Sequence, residues 1–519
     1  MAENEIIKLG GKKKGGLLRI LFSRVGIVLL LLVLQVVILL AAYYWFAEYF
    51  ERFWIVQAVF SVVMILYLFN CGMDSTAKLT WLFLIMLFPV PATILLWITQ
   101  KDIGHTITKK RVAQMIKESR DKIVQDTDVI EKSEIIESGT DDLSYYLCRS
   151  GAFPVYENTK VDFFPLGEKK FEAMLEELKK AEKFIFMEYF IIDEGYMWGS
   201  ILKVLADKVA QGVDVRVLYD GMCEISLLPH DYPEKMKKLG IKCRQFTPLK
   251  AFVSTEYNYR DHRKILVIDG KVAFNGGVNL GDEYINRIER FGHWKDTAVR
   301  LKGEAVKSFT LMFLQMWNLR EKEPQWDEVL VDHKVKSDGY VMPYGDCPLD
   351  DDKVGEMVYM DILNRSKSYV HIMTPYLILD DELETALKFA AQRGVDVKLI
   401  LPGIPDKKVA YALAKSFYKP LVKAGVKIYE YTPGFVHAKI FVSDDDKAVC
   451  GTINLDYRSL YHHFECATYM YKTSCVKDIA KDFEETLKEC REVSLETIKN
   501  EKLFYKIMGG VMKVLAPLM

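Results

Sequence analysis

One pattern of charged and polar residues occurs twice in this chain of 519 residues, and it constrains the fold more than any other feature. The first copy reads His262-x-Lys264-x4-Asp269-x6-Gly276-Gly277-x-Asn279, and the second reads His437-x-Lys439-x4-Asp444-x6-Gly451-Thr452-x-Asn454. A bare His-x-Lys-x4-Asp pattern should arise by chance at roughly one position in ten thousand, so a single copy would be a weak signal. Two copies with matching downstream spacing indicate a duplicated unit that serves one chemistry.

The segments around the two copies repeat the same order of strand and helix. Each half has a continuous apolar run, then a stretch with apolar residues three and four apart, then a second apolar run that opens with Gly-Val-Asp-Val. Such runs are typical of strands covered on both faces, and the stretches between them are typical of crossover helices. The pattern predicts two α/β lobes with mixed, largely parallel sheets flanked by helices, and places each motif on a strand that begins at its histidine. The predicted strands and helices are 183–192, 199–211, 368–379 and 381–393.

Three long apolar runs precede the repeat, at residues 25–46, 53–70 and 79–100, and the third contains Pro89 and Pro91. Runs of this length suit helices that cross about 30 Å of hydrocarbon. Basic residues cluster before the first run and after the third, and such clusters favour the cytoplasmic side. We therefore expect an N-terminal helical transmembrane region, a multi-pass protein of the cell membrane and a cytoplasmic catalytic body. One run should then not cross, either the proline-interrupted one or a shallow second one.

The expected organisation has four parts. These are a membrane anchor over residues 1–100, a polar linker helix over 101–150, a first lobe over 151–335 and a second lobe over 336–519. The second lobe ends in an amphipathic segment, 503–519, which suits a membrane interface and equally a helix packed on the lobes. The net charge of −1 offers no basic field for nucleic acid. Nine cysteines without a CxxC spacing favour reduced thiols over disulfides.

The residue types in the motifs suit phosphodiester chemistry. The imidazoles of His262 and His437 titrate near neutrality, so one can attack phosphorus while the other protonates the leaving oxygen. Lys264 and Lys439 would supply positive charge to the phosphoryl oxygens. The sequence shows no cluster with metal-ligand spacing, so we expect neither a metal nor a cofactor. The candidate phosphate-binding amides are Asn279 and Asn454.

On these motifs the chain resembles the phospholipase D superfamily, and most of its length resembles the bacterial cardiolipin synthases. The similar stretches include 258–264, Gly276-Gly-Val-Asn-Leu-Gly-Asp-Glu-Tyr, Thr374-Pro-Tyr and Asn454-Leu-Asp-Tyr-Arg-Ser. The resemblance implies two lobes related by a pseudo-twofold axis, with both motifs in one site. It also implies phosphatidyl transfer between two phosphatidylglycerol molecules, which gives cardiolipin and glycerol through a phosphohistidine on His262. A membrane-anchored phospholipase D or phosphatidylserine synthase, with another acceptor, remains the alternative.

The resemblance also assigns residues around the histidines. In the family an acid from the opposite lobe orients each imidazole, which here implies Glu465 for His262 and Asp296 for His437. The expected partners are phosphatidylglycerol and membrane lipid, without nucleic acid, and the oligomeric state stays open.

Five further residues of the motifs and their surroundings receive an interpretation. Asp269 and Asp444 are counted with the catalytic set, although the family's motif aspartate mainly braces the turn after its strand. The adjacent His462 and His463 are interpreted as peripheral to the chemistry. His293 is interpreted as structural.

Overall fold

The computed structural model describes residues 6–11, 37, 41, 50–73, 75–100, 103–246 and 259–516. The chain forms two compact units by its internal contacts. One comprises Met1–Lys12, Ile107–Ala251 and Tyr257–Lys513, and the other comprises Lys13–Thr106, Phe252–Glu256 and Val514–Met519. The predicted apolar run 25–46 lies outside the described residues, apart from positions 37 and 41.

The second and third apolar runs are helical. The run 53–70 lies within α1 (Phe50–Asn70), whereas the run 79–100 is divided between α2 (Ser75–Leu87) and α3 (Pro89–Gln100). The division falls at a proline, which has no N–H to continue the preceding helix. Helices of 13 and 12 residues reach only about 20 Å, less than the thickness of a bilayer core. Across the part of the chain that the structure describes, no helix has the length and hydropathy of a membrane span, so the predicted transmembrane helices are not confirmed there.

Residues 103–151 form a series of helices where the sequence predicts a single linker helix. They are α4 (Ile103–Ser119), α5 (Thr127–Ile130), α6 (Ser133–Ser138) and α7 (Thr140–Gly151). The guanidinium of Arg111 donates to the backbone carbonyls of Asn318 and Glu321, at 3.3 and 2.6 Å. From Ile107 onward this series therefore belongs to the larger unit.

Two large sheets, a small two-stranded sheet and their covering helices make up most of the rest of the larger unit. The strands are β1 (Thr159–Phe164), β2 (Phe184–Tyr189), β3 (Asp214–Asp220), β4 (Lys242–Phe246), β5 (Arg260–Asp261), β6 (Lys264–Ile268), β7 (Val272–Gly276), β8 (His293–Lys295), β9 (Ala298–Gly303), β10 (Tyr340–Asp346), β11 (Tyr369–Met373), β12 (Asp396–Pro402), β13 (Lys427–Tyr431), β14 (Gly434–Val436), β15 (Ile440–Ser443), β16 (Lys447–Gly451), β17 (His463–Tyr471) and β18 (Cys490–Glu492). The helices are α8 (Gly167–Lys179), α9 (Tyr196–Ala210), α10 (Cys223–Ser226), α11 (Tyr232–Lys238), α12 (Val306–Trp317), α13 (Val354–Arg365), α14 (Asp381–Gln392), α15 (Lys408–Lys423), α16 (Tyr457–Tyr461), α17 (Cys475–Leu487), α18 (Leu495–Lys499) and α19 (Leu503–Leu515).

The strand orders of the two sheets show the duplication directly. The first sheet runs β1-β9-β7-β6-β2-β3-β4, and the second runs β10-β17-β16-β15-β11-β12-β13 with β18 added at its edge. Every residue of β2, β6, β15 and β17 is buried, which accounts for their mostly apolar sequences. The prediction of a mixed α/β fold with two repeated sheets is confirmed.

Two details of the strand prediction are wrong. The sheets are not largely parallel, because within the two strand orders given above only β2-β3-β4 and β11-β12-β13 pair in parallel. The motif strands and the strands that follow them pair antiparallel. The motif strands also begin two or three residues after their histidines, at Lys264 and Ile440. The backbone N–H of each histidine donates instead to the opposite lobe, His262 to Phe464 at 2.9 Å and His437 to Lys295 at 2.7 Å.

These cross-lobe contacts continue along the chain. β5 pairs in parallel with the start of β17, and β14 pairs in parallel with β8, so each lobe contributes a short strand to the other. The ammonium of Lys295 in the first lobe donates to the carboxylate of Asp482 in the second, at 2.7 and 2.8 Å, and both side chains are buried. The two lobes therefore form one body whose junction is made by the segments next to the motif histidines.

The motif aspartates lie at the ends of their strands, in the left-handed backbone region, with φ of 54° at both Asp269 and Asp444. The carboxylate of Asp269 accepts hydrogen bonds from the backbone N–H groups of residues 182, 183 and 184, at 2.7 to 2.8 Å. Asp444 accepts from the N–H groups of residues 367, 368 and 369 in the same way. Each carboxylate thus ties the end of a motif strand to the start of the strand beside it.

We predict that Asp269→Ala destabilises the protein by about 3 kcal/mol, because it leaves three backbone donors unpaired and puts a β-carbon without a polar partner in a left-handed conformation. Asp269→Asn should cost less, since asparagine tolerates this conformation and retains one acceptor. Denaturation of the detergent-solubilised variants measures both effects. Lost activity with an unchanged free energy of unfolding would show that Asp269 takes part in the chemistry instead.

Candidate active site

The two motifs meet in one buried site where the lobes join. His262, His437, Lys264 and Lys439 are all at least nine-tenths buried. Charges act across the junction, because the ammonium of Lys439 lowers the pKa of Lys264 and the ammonium of Lys264 lowers the pKa of His437. The fold thus brings the four predicted basic residues together, although 173 residues separate the first pair from the second by their numbering, 264 to 437.

His262 is held by an acid from the second lobe. Its Nδ1 lies 2.8 and 2.9 Å from the two carboxylate oxygens of Glu465. That carboxylate also accepts hydrogen bonds from the hydroxyl of Ser459, at 2.7 Å, and from the hydroxyl of Thr452. A carboxylate at Nδ1 keeps the proton on that nitrogen, so Nε2 carries the lone pair.

His437 is held by an acid from the first lobe. Its Nδ1 lies 2.6 Å from Asp296 Oδ2, while Oδ1 of the same carboxylate accepts from the backbone N–H of Thr297 at 2.8 Å. Gly277 allows this approach, since a β-carbon there would lie 2.2 Å from Asp296 Oδ1. The second motif has Thr452 at the matching position, where the hydroxyl binds Glu465. The motifs thus differ at this position because Gly277 leaves space for Asp296, whereas the hydroxyl of Thr452 donates a hydrogen bond to Glu465.

The lysines and asparagines complete the site. The ammonium of each motif lysine donates to the backbone carbonyl of its own histidine, Lys264 to His262 and Lys439 to His437. Asn279 Oδ1 accepts from the backbone N–H of residue 191 at 3.1 Å, which fixes its amide. Asn454 is buried, and its Oδ1 has no hydrogen-bond partner among the described residues.

Burial sets the protonation states of these groups. It lowers the pKa of His437 to about 4 and that of His262 well below its usual value, in spite of the paired carboxylates. It also lowers the pKa of Lys264 to about 7 and that of Lys439 to about 8. Burial alone would raise the pKa of Glu465 and of Asp296, but the facing imidazoles and lysines outweigh it and lower both. At neutral pH the site therefore holds neutral imidazoles and ionised acids. A bound anion would stabilise the charged forms of its two lysines, which burial disfavours.

Aromatic rings enclose both imidazoles. The ring of Phe190 lies 4.9 Å from that of His262, and the ring of Trp294 lies 5.1 Å from that of His437. Tyr284 lies 5.7 Å from the His437 ring. These rings exclude water from the walls of the site and account for the low pKa values of the histidines.

The sequence interpretation misplaces His463. It is buried, its ring centroid lies 5.3 Å from that of His262, and its Nδ1 lies 3.5 Å from Glu465. The internal repeat could have indicated that His463 lies in the site. His463 stands two positions before Glu465, just as Trp294 stands two positions before Asp296. His293 lies away from the imidazoles, where the hydroxyl of Tyr431 contacts its Nδ1 at 2.9 Å. His462 has its ring 6.2 Å from that of Tyr259.

Two groups of side chains within the described residues have the geometry to hold a metal ion. One is His262, His463 and Glu465, and the other is Glu356, Asp380 and Glu382. The sequence gives no ligand spacing for either, because each group is assembled from segments that only the fold brings together. All nine cysteines lie in the described part of the chain and are free thiols.

Comparisons with known proteins agree with this architecture. The family model described as the PLD-like domain of cardiolipin synthase matches residues 174–317 and 359–487. A cardiolipin synthase of Alkalihalophilus pseudofirmus is 32% identical over 91% of this chain and 95% of its own length. An uncharacterised protein of Streptococcus mutans is 58% identical over 88% of this chain and 99% of its own length.

Among solved structures, the phosphatidylserine synthase of Haemophilus influenzae superposes with a TM-score of 0.54 at 15% identity. The match covers 69% of this chain and 93% of that one, and it shows a shared fold. The strand order, the paired motifs and the sequence relatives agree, and this chain belongs to the PLD-like family of cardiolipin synthases.

Proposed function

We propose that this protein is a cardiolipin synthase that transfers a phosphatidyl group from one phosphatidylglycerol to the free glycerol hydroxyl of another and releases glycerol. The observation that carries the proposal is the meeting of two histidine–lysine pairs in one buried site, each histidine with a carboxylate at its Nδ1. One imidazole can then attack the phosphorus of a phosphodiester while the other protonates the leaving oxygen of the same group. The identity of both substrates rests on family membership.

In the first step, Nε2 of His262 attacks phosphorus and the P–O bond to the departing glycerol breaks. His437 gives a proton to that glycerol oxygen, and a phosphatidyl group remains on His262 as a phosphoramidate. The Nδ1–H of His262 faces Glu465, which stabilises the positive charge that the ring gains as it bonds to phosphorus. The choice of His262 as nucleophile follows the family resemblance.

In the second step, the terminal hydroxyl of another phosphatidylglycerol attacks the same phosphorus. His437, now neutral, accepts the hydroxyl proton, and the P–N bond to His262 breaks. Asp296 at Nδ1 of His437 stabilises the imidazolium formed in this step. Two in-line displacements give net retention at phosphorus and regenerate both histidines.

The charge balance of the site favours an anionic substrate. Without substrate, the positive charges of the two buried lysines are balanced by the negative charges of the two carboxylates. No further negative charge is then available to stabilise the proton that His437 must carry into the first step. A phosphodiester adds one negative charge, which raises the pKa values of Lys264, Lys439 and His437 together. Substrate binding would therefore charge the acid that the reaction needs, and the side-chain amides of Asn279 and Asn454 would be further donors to the phosphoryl oxygens.

We further propose that the protein works at a membrane, with its catalytic body on the cytoplasmic side. α19 supports this, since Leu503, Phe504, Ile507 and Val511 are more than half exposed and Lys506 lies among them. Such a helix can rest in the headgroup region. The basic residues before the run 25–46 and after the run 79–100 support the sidedness.

We predict that His262→Ala and His437→Ala each lower cardiolipin formation by several orders of magnitude, because removing one member of a catalytic unit disables the whole unit. The assay supplies labelled phosphatidylglycerol alone and measures cardiolipin and glycerol. His230→Ala, an exposed histidine, is the control for the loss of an imidazole. Phosphatidic acid as the main product would show a phospholipase instead, and transfer to serine in a parallel assay that also supplies serine would show a serine transferase.

The protein should lose stability as the pH falls from 7 to 5. The unfolded histidine takes up a proton near pH 6.5, whereas folded His437 does so only near pH 4, so protons favour the unfolded state between these values. At pH 5 this should cost about 2 kcal/mol for His437 alone. Denaturation of wild type and His437→Gln at both pH values measures the difference. Equal pH dependence in the two proteins would contradict a neutral buried His437.

A cysteine at position 110 should be protected from a membrane-impermeant thiol reagent in intact cells and should react after permeabilisation. Lys110 is exposed and follows the third apolar run, so Lys110→Cys reports the side of the membrane on which the body lies. The unsubstituted chain corrects for its native thiols. Labelling in intact cells would place the body outside and overturn the proposed sidedness.

A further inference from the structure

The site contains an imidazole for which the proposed reaction has no use. His463 is more than nine-tenths buried, and neither of its ring nitrogens has a hydrogen-bond partner among the described residues. Its Nδ1 lies 3.5 Å from Glu465 Oε1, just beyond a normal hydrogen bond, so the ring points to the acid that holds His262. A buried polar group without a partner is costly and calls for a ligand.

The repeat shows that this imidazole is not required by the fold. His463 pairs with Arg260, two residues before His262, and Trp294 pairs with Phe435, two residues before His437. The first lobe thus has an indole, that of Trp294, where the second lobe has the imidazole of His463. Both rings pack beside a catalytic histidine, but only the imidazole adds a metal ligand.

Together with its neighbours, His463 forms a ligand set typical of zinc. His262, His463 and Glu465 each offer a ligand atom, and these atoms lie within 4.8 Å of one another. Zinc binds two imidazoles and one carboxylate at about 2.0 to 2.2 Å, often with a water as fourth ligand. Ligands of one tetrahedral ion lie about 3.4 Å apart, so side-chain shifts on the order of 1 Å would close the group.

We propose that His262, His463 and Glu465 form an inhibitory site for zinc or a similar divalent transition metal. The ion would bind the Glu465 carboxylate and Nδ1 of His262, which faces it. The ring proton would then lie on Nε2, and the nucleophile would lose the lone pair that the reaction needs. The inhibition rests on the proposed role of His262, whereas the binding does not.

The test begins with Co²⁺ as a spectroscopic probe on the full chain in detergent, without lipid substrate. Wild type should bind one Co²⁺ in this site, displaced by Zn²⁺, without a sulfur-to-cobalt charge-transfer band. His463→Phe, which keeps a ring at this position, should weaken binding by at least about 100-fold, since even partners outside the ligand set contribute about 10- to 100-fold. His463→Cys should bind cobalt and gain the thiolate band, because position 463 then supplies sulfur.

His371→Gln is the matched control. The His371 imidazole also lies 3.4 Å from two carboxylates, those of Asp396 and Glu484, but outside the site, so its loss should leave cobalt binding unchanged. The proposal is overturned if wild type binds no ion, if His463→Phe binds as tightly as wild type, or if His463→Cys shows no thiolate band. If His463→Phe does not fold, the thiolate band of His463→Cys decides.

Activity forms the second arm of the test. Zinc at ten times its dissociation constant should reduce the transfer rate about tenfold in wild type, and a chelator should restore it. The rate of His463→Phe, relative to its own zinc-free rate, should not change at that concentration. Binding without transferase activity under any condition would refute the proposed function and leave the metal site intact. Activity that a chelator abolishes and a divalent ion restores would overturn the inhibitory role.

Discussion

The hydrogen bond between each motif histidine and an acid of the opposite lobe is the interaction on which the site depends. Neither lobe alone contains both members of a pair, since His262 needs Glu465 and His437 needs Asp296. The backbone enforces the pairing, because each histidine N–H donates to the carbonyl of the residue just before the acid. The same contacts therefore set the register of the lobes at their junction and the orientation of the imidazoles. Any shift of one lobe against the other would disturb both histidines at once.

That constraint explains why the motif strands begin late. A histidine inside its own sheet would direct its backbone N–H to a neighbouring strand of the same lobe. Here the chain leaves the sheet before Lys264 and Ile440, and the preceding residues form β5 and β14 on the opposite lobe. The motif aspartates fix the other ends of the same strands by holding the starts of β2 and β11. Each motif thus secures a strand at one end and places a histidine between the lobes at the other.

Much of this arrangement could be predicted from sequence, because it follows from local patterns that occur twice. The apolar runs predicted the central strands, and comparison of the two halves of the sequence predicted the repeated topology. The family resemblance implied Asp296 and Glu465 as the acids that orient the histidines. The largely parallel sheet was a wrong prediction, since apolar runs report burial and carry no information on the direction of a neighbouring strand. The place of His463 was missed because two adjacent histidines have no periodicity, and only alignment with Trp294 reveals which of them faces the site.

The two halves are equal in topology and unequal in chemistry. Glu465 is held by two hydroxyls and lies beside His463, whereas Asp296 is held by a backbone N–H and has only room for Gly277 beside it. A site built from identical halves would give its two histidines the same basicity, whereas the proposed reaction requires one to bond phosphorus and the other to exchange protons. Duplication supplied the convergence of the motifs, and substitutions around the acids then allowed the two imidazoles to differ. Because these substitutions act through Glu465 and Asp296, the histidines can be tuned separately while the lobe junction that positions them stays unchanged.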